Sequence, residues 1–393
     1  MKYAIDVPRA QGAEGPIPPF LRILASVITT DLAPGFISLG QRPARRMATR
    51  GFATGRIGHS LLVHGPAGAG KDAFVDDLLA MAHCADADTD RRPCNACRGC
   101  RDGRSRSHPD LVIGSPDRWR ESRSTGESIV SAARRWLLEA AGAPVVADRR
   151  VILIERADHA GEQIQNALLK ALEEPTHRHT FILVADDPSR LLPTIRSRCQ
   201  PLRIGPVPFA ELRDHLMDVE RLPQDLAEAL ARISGGLAGT AISYARDRQL
   251  LDWRRRTQLQ LTSLLERSRA ERFASVRDLI DEATAFVPAR GDDEEARTPA
   301  SVQREAAVRV VAVWIGLSRD LLVAAAGRAQ LTPSGELAAE LGDLGGRIGV
   351  APLLTMLHHL ERVHAGLVEQ AAPRLALESA MLRWPMLPPA GER

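Results

Sequence analysis

Four of the five cysteines, Cys84, Cys94, Cys97 and Cys100, follow the spacing C-x9-C-x2-C-x2-C. Four thiolates in so short a loop can close a tetrahedral zinc site. With four protein ligands no position is left for water, so the metal is structural. The loop has too few apolar residues to hold itself, and bound metal would supply its folding energy. Unliganded thiols are the alternative. Cys199 has no activating partner in sequence and reads as a buried small hydrophobe. A DNA-reading finger needs a recognition helix after its ligands, and His108-Pro109-Asp110 breaks the chain there instead.

A second chemistry lies upstream. Ser60-Leu61-Leu62-Val63-His64 runs into Gly65-Pro66-Ala67-Gly68-Ala69-Gly70-Lys71, and an amphipathic helix follows over Ala73 to Met81. Strand, glycine loop and helix N-terminus in this order make a phosphate-binding loop. Gly65, Gly68 and Gly70 let backbone N–H groups turn inward around phosphate oxygens. Lys71 adds a point charge and the helix start a partial one. The next position should be a Ser or Thr hydroxyl on Mg²⁺, and this chain has Asp72. A carboxylate can bind Mg²⁺, but beside polyphosphate it repels. Two readings stay open: a pocket where ATP binding is weak, and a relic loop that binds none and merely packs.

Hydrolysis also needs an acidic pair after a later strand, one carboxylate for the metal and one to activate water. After Val151-Ile152-Leu153-Ile154 the chain has Glu155 and then Arg156. Arginine cannot serve as a base at physiological pH. With Asp72, two of the groups that hydrolysis requires are missing, and intrinsic ATPase activity is not expected.

Positioning these groups takes an α/β framework. Four-residue aliphatic runs bounded by charge, such as Val151–Ile154 and Phe181–Val184, suit strands buried on both faces. Asp110-Leu111-Val112-Ile113 and Leu202 to Ile204 read as further strands. Ile129, Val130, Ala133, Trp136, Leu137 and Ala140 recur at helical spacing, with Trp136 as packing. Pro206 to Pro208 marks a linker. A small helical segment follows over Phe209 to Arg246, with Leu212, Leu216, Leu226, Leu230 and Ile233 as its apolar stripe. Beyond Leu251 the pattern is wholly helical, in segments near Leu251–Ser268, Glu271–Phe286, Val302–Arg328, Ser334–Leu344 and Leu353–Leu382, with a charged loop between Pro288 and Pro299.

The totals set outer bounds. A chain of 393 residues exceeds one ordinary core, and a hydrophobic content of 44% can fill roughly two or three. The net charge of +3 gives no argument for nucleic acid. No run approaches the ~18 uninterrupted apolar residues of a membrane helix. The segment Phe20 to Thr30 is broken by Arg22 and lacks the features of a secretory signal. A cytoplasmic location with reduced thiols is the expectation, and metal is favoured over disulfide.

The run Asn166-Ala167-Leu168-Leu169-Lys170-Ala171-Leu172-Glu173-Glu174-Pro175, followed by Ser197-Arg198-Cys199, carries a resemblance. It resembles the signature of AAA+ clamp-loader ATPase-type subunits, and the chain as a whole is similar to the delta-prime family of bacterial DNA polymerase III. The resemblance runs from about Gly55 to Cys199, is plausible to the C-terminus and fails over the first forty residues.

What it implies is an α/β plus all-α protein. An AAA+ (RecA-like) parallel-sheet domain spans 41–204 and carries an inserted zinc module at 84–100. A small helical lid domain spans 205–250, and a helical collar at 251–393 holds the ring together. Residues 1–40 are then an extension, disordered or arising from an upstream start. Arg198 would be the arginine finger given in trans to a neighbour's ATP site; a surface or intrachain ion pair is the plainer reading. Gly239 stands where motor subunits have a phosphate-contacting arginine, and Ala372 replaces an Asn before the collar's last helix. The implied partners are clamp-loader ATPase (gamma/tau) subunits and a delta subunit in a hetero-pentamer, and through them primed DNA and the sliding clamp. The subunit would have no activity of its own within a DNA-directed DNA polymerase holoenzyme. An ATP-hydrolysing motor subunit, and a zinc-dependent nucleic-acid-binding protein on the same scaffold, are the rivals.

Overall fold

The computed structural model describes residues 35–54, 57–173, 178–287, 299–329, 332, 338–369 and 371–387. Residues 1–34 of the N-terminal extension, Gly55 at the start of the resemblance, Glu174 and Pro175 of its signature, most of the charged loop and Ser334 lie outside them.

Five parallel strands form one sheet: β1 (Ser60–His64), β2 (Leu111–Gly114), β3 (Arg150–Ile154), β4 (His179–Ala185) and β5 (Gln200–Arg203). Their order is β2-β3-β4-β1-β5. Helix α1 (Arg42–Ala53) precedes β1 and α2 (Lys71–Ala82) follows it; α3 (Arg98–Arg104) closes the cysteine cluster. Helices α4 (Pro116–Glu121) and α5 (Ile129–Ala140) lead from β2 to β3, α6 (Glu162–Glu173) from β3 to β4 and α7 (Pro193–Arg196) from β4 to β5. Parallel strands need such crossovers, and the helices cover both faces.

Alternation along the strands divides the core in two. Leu61, Val63, Val151, Leu153, Ile182 and Val184 pack with Phe74 and Leu78 of α2. Leu62, Ile152, Ile154, Phe181 and Leu183 point the other way, onto Ala133 of α5 and Ile164 and Leu168 of α6. Burial on both faces explains why the runs read as continuously aliphatic. In this strand order the glycine loop leaves the C-terminal end of an interior strand, where open parallel α/β sheets bind their ligands. Strand β5 begins at Gln200 rather than Leu202, pairing Leu61 with Gln200 and Leu62 with Pro201. A proline is tolerated there because β5 is an edge strand.

Asp110 fastens the segment before β3 to the start of β2. Its carboxylate accepts N–H groups of Val145, Val146 and Ala147 at 2.5, 2.8 and 2.6 Å, in a fully buried position. Burial pushes its pKa up, but those donors and His108 outweigh this and leave it below the usual value. Charged hydrogen bonds contribute roughly 1.5–3 kcal/mol each, and an amide oxygen replaces them only in part. Asp110→Asn is therefore expected to cost about 2–3 kcal/mol at neutral pH. A lowered folded pKa gives stability that is complete above the unfolded value of about 3.9 and is lost as pH falls through the folded one. Urea midpoints of wild type and variant should accordingly begin to converge below about pH 4 and meet only once the pH is under the folded value.

Beyond the sheet, α8 (Phe209–Asp218), α9 (Gln224–Ile233) and α10 (Ala238–Arg246) pack around Leu212, Leu216, Ala227 and Leu230. The last group comprises α11 (Arg248–Ser263), α12 (Arg269–Thr284), α13 (Pro299–Ala325), α14 (Ala338–Ile348), α15 (Val350–Val368) and α16 (Pro373–Leu382). They gather on the 27-residue α13, whose Val310, Trp314, Leu317 and Leu321 are fully buried. Two helical readings need correction. Leu353–Leu382 is two helices, because Pro373 at the first helical position starts a new one. Leu251–Ser268 stops at Ser263, and Ser268 instead caps α12 in a reciprocal capping box with Glu271.

Candidate functional site: a blocked phosphate loop, a four-cysteine cluster and a surface arginine

The sequence separates Cys84 from Cys94 by nine residues, and the fold brings the sulfurs together. All four Sγ atoms of Cys84, Cys94, Cys97 and Cys100 lie within 4.8 Å of one another, with Cys94 and Cys100 at 4.0 Å. A tetrahedral site with Zn–S of about 2.3 Å sets its sulfurs roughly 3.8 Å apart, so these residues can hold a zinc ion. Backbone donors face the sulfurs as thiolates require: Cys94 N–H to Cys84, and Ala85 and Cys100 N–H to Cys97. Backbone N–H groups of Ala96 and Cys97 pull the Cys94 thiol down to about 6. Burial pushes Cys84 and Cys100 up, a penalty that metal coordination relieves. The cluster sits tightly on α2, since a Cβ on Gly99 would come within 1.8 Å of the His83 carbonyl oxygen. Cys199 is buried, and burial raises its pKa to about 11, in keeping with a packing role.

The glycine loop has the expected backbone. Gly65, Gly68 and Gly70 take φ of 151°, 77° and 93°, and a Cβ on Gly65 would meet the Ile204 carbonyl oxygen at 1.8 Å. Lys71, however, does not reach outward. Its Nζ donates to the Gly65 and Pro66 carbonyl oxygens at 2.7 and 2.9 Å and pairs with Asp186 at 2.5 Å. Helix α10 rests on the same loop, with Thr240 N–H donating to the Gly68 carbonyl at 3.1 Å. A Cβ on Gly239 would come within 2.9 Å of that oxygen. A longer side chain at position 239 therefore has no room in this arrangement.

Past β3, Glu155 and Arg156 part company. Arg156 adopts a left-handed φ of 51° and its guanidinium joins Asp117 at 2.7 Å and His159 at 3.0 Å. Burial, then the Arg156 charge, lowers His159 to about 4, so it accepts as a neutral ring at neutral pH. Glu155 accepts Arg106 at 2.6 Å. The Arg106 side chain also donates to Asp76 at 2.8 Å and stands 3.5 Å from Asp72. Sequence reasoning passed over Arg106, Asp76 and Asp186. Their partners stand many residues away in the chain, and no spacing rule connects them.

Arg198 is in a different place. It follows α7, donates to the Thr194 carbonyl at 2.9 Å and pairs with Glu173 at 2.7 Å. Its side chain is 37% exposed and that of Glu173 47%. The parallel register runs from Leu61 opposite Gln200 to His64 opposite Arg203. Arg198 therefore lies beyond the N-terminal end of the sheet, whereas the glycine loop leaves its C-terminal end. The four paired residues alone span roughly 13 Å. Arg198 cannot serve its own phosphate loop.

Comparison with known proteins finds matches to subunits of one bacterial enzyme. Residues 40–208 match the family model described as "DNA polymerase III, delta subunit". A delta' subunit of DNA polymerase III from Bacillus subtilis is 30% identical over 226 residues, 57% of this chain and 64% of that one. A gamma/tau subunit from Mycobacterium bovis is 28% identical over 371 residues, 86% of this chain and 58% of the relative. The chain spans less than two thirds of the length of these curated relatives. Among solved structures, a DNA polymerase III gamma subunit-related protein from Thermotoga maritima aligns at 16% identity and a TM-score of 0.39, covering 83% of this chain and 93% of that one. The chain is thus similar, at comparable identity, to curated delta' and gamma/tau subunits of DNA polymerase III.

Proposed function

We propose that this chain is a clamp-loader subunit of the delta-prime type: it does not hydrolyse ATP itself and presents Arg198 to the ATP site of a neighbouring subunit. One observation carries the reading. Arg198 is exposed at the end of the sheet opposite its own glycine loop, so any phosphate it meets belongs to another chain. A planar, permanently charged guanidinium suits the γ-phosphate, where negative charge builds in the transition state. Arg156 at the base position and Lys71 held by Asp186 support the loss of intrinsic hydrolysis.

The same reading divides the chain into an AAA+ domain at 41–204, a lid at 205–250 and a ring-forming collar at 251–393. Cys84, Cys94, Cys97 and Cys100 hold structural zinc. The partners are gamma/tau and delta subunits in a hetero-pentamer that loads the sliding clamp onto primed DNA. No helix among the described residues is long and apolar enough to cross a membrane, in keeping with a cytoplasmic location.

The motor-subunit alternative is tested on the isolated chain. With saturating Mg²⁺–ATP, phosphate release is expected to stay at the buffer background. Clear turnover that Lys71→Ala abolishes would replace the delta-prime assignment with a gamma/tau one. Tight DNA binding by the chain alone, weakening steeply with salt, would point instead to a nucleic-acid-binding protein. Weak binding is expected.

A further inference from the structure

A nucleotide pocket of this fold takes a divalent cation between the residue after the loop lysine and the carboxylate after β3, here Asp72 and Glu155. The residues present do not fit that arrangement. Arg106 stands between them, donating to Glu155 at 2.6 Å and Asp76 at 2.8 Å and lying 3.5 Å from Asp72. One cation thus faces three carboxylates. Asp76 still has its pKa raised, chiefly by burial, so the cluster is costly to leave unneutralised.

Arg106 is brought there by the cysteine cluster. It lies two residues beyond α3, in a left-handed turn with φ of 57°, and its N–H bonds the Gly103 carbonyl at 3.1 Å. Arg104, the last residue of α3, fixes the same helix end, pairing with the fully buried Asp77 at 2.6 Å and donating to the Gly35 carbonyl at 2.7 Å. Asp77 in turn accepts the N–H groups of Ile37 and Ser38, both at 2.9 Å. The end of the module is thereby tied to α2 just before Arg106.

We propose that Arg106 takes the place of the divalent cation in this pocket, as an internal counter-ion that the cysteine module delivers. The pocket then needs no metal to stay folded, and polyphosphate finds the metal's position filled. The module has a second task besides closing its own loop: it sets the guanidinium between Asp72, Asp76 and Glu155. This rests on the reading of the pocket as a nucleotide site that no longer turns over.

The test is Mn²⁺ binding by the full chain, purified with its cysteine cluster intact and followed by electron paramagnetic resonance. Mn²⁺ suits carboxylate oxygens and competes poorly for thiolates. Wild type should bind no Mn²⁺ at this site. Arg106→Ala should gain one site per chain, at least about tenfold tighter than anything wild type shows, because it uncovers three converging carboxylates. Arg106→Lys keeps the charge and should stay closed. Glu155→Gln added to Arg106→Ala should remove the new site. Should Arg106→Ala fail to fold, Arg106→Gln carries the same comparison, keeping a donor while losing the charge. Equal Mn²⁺ binding by wild type and Arg106→Ala, or none by any uncharged variant, would overturn the proposal. Neither result bears on Arg198, which is read only in the assembled complex.

Discussion

Arg198→Ala should leave folding and assembly intact while slowing hydrolysis at one ATP site of the reconstituted complex by about 10³–10⁵, the range for an arginine supplied in trans. Two magnitudes make this separable. The intrachain pair with Glu173 is half-exposed, and pairs of that kind contribute about 0–1 kcal/mol. Losing it should barely move the stability of the chain. A guanidinium withdrawn from a charged transition state removes several times that energy from one step. Arg198→Lys should recover little, because an ammonium lacks the planar fork. The checks are steady-state phosphate release and size-exclusion profiles of matched complexes. A rate equal to wild type, in complexes of equal composition, would return Arg198 to the role of a surface ion pair.

Cys100→Ser should take bound zinc from about one per chain to none and release the segment between Ala85 and Arg104 to protease. Cys100 is fully buried against α2, and its Sγ faces the Ala80 carbonyl at 3.4 Å. A serine there neither ligates zinc as a thiolate nor replaces that packing. Structural zinc supplies roughly 10–16 kcal/mol of apparent binding energy in small modules at pH 7, far more than this short segment gains from its apolar contacts. Binding needs thiolates, so protons compete with the metal and the zinc-bound fold loses stability as pH falls. Elemental analysis and limited proteolysis read both consequences. Full zinc content in Cys100→Ser would mean that the four sulfurs do not form one site.

Much of the framework was legible because its causes are local. Ser60–His64 and the other aliphatic runs read as buried strands since both sheet faces are covered, and Ile129–Ala140 shows its helical period directly. The cysteine cluster was legible from spacing alone. The break at Pro373 was signalled by the proline itself but obscured by apolar residues that continue past it. The state of the pocket was not legible. That Lys71 turns back to Asp186, and that Arg106 enters among Asp72, Asp76 and Glu155, depends on which chain ends the sheet brings together. Charge pairs between residues distant in sequence leave no periodicity to read. The same holds for Arg198: the triplet Ser197-Arg198-Cys199 marks the residue, but only the parallel register shows which end of the sheet it occupies.

Single-turnover hydrolysis in the reconstituted complex, comparing Arg198→Ala with Lys71→Ala, tests the central claim most directly. The account predicts that Arg198→Ala slows phosphate release at the adjoining site, whereas Lys71→Ala leaves every rate at the wild-type value. Slowing by Lys71→Ala with no effect of Arg198→Ala would contradict it, and would make this chain the one that burns its own nucleotide.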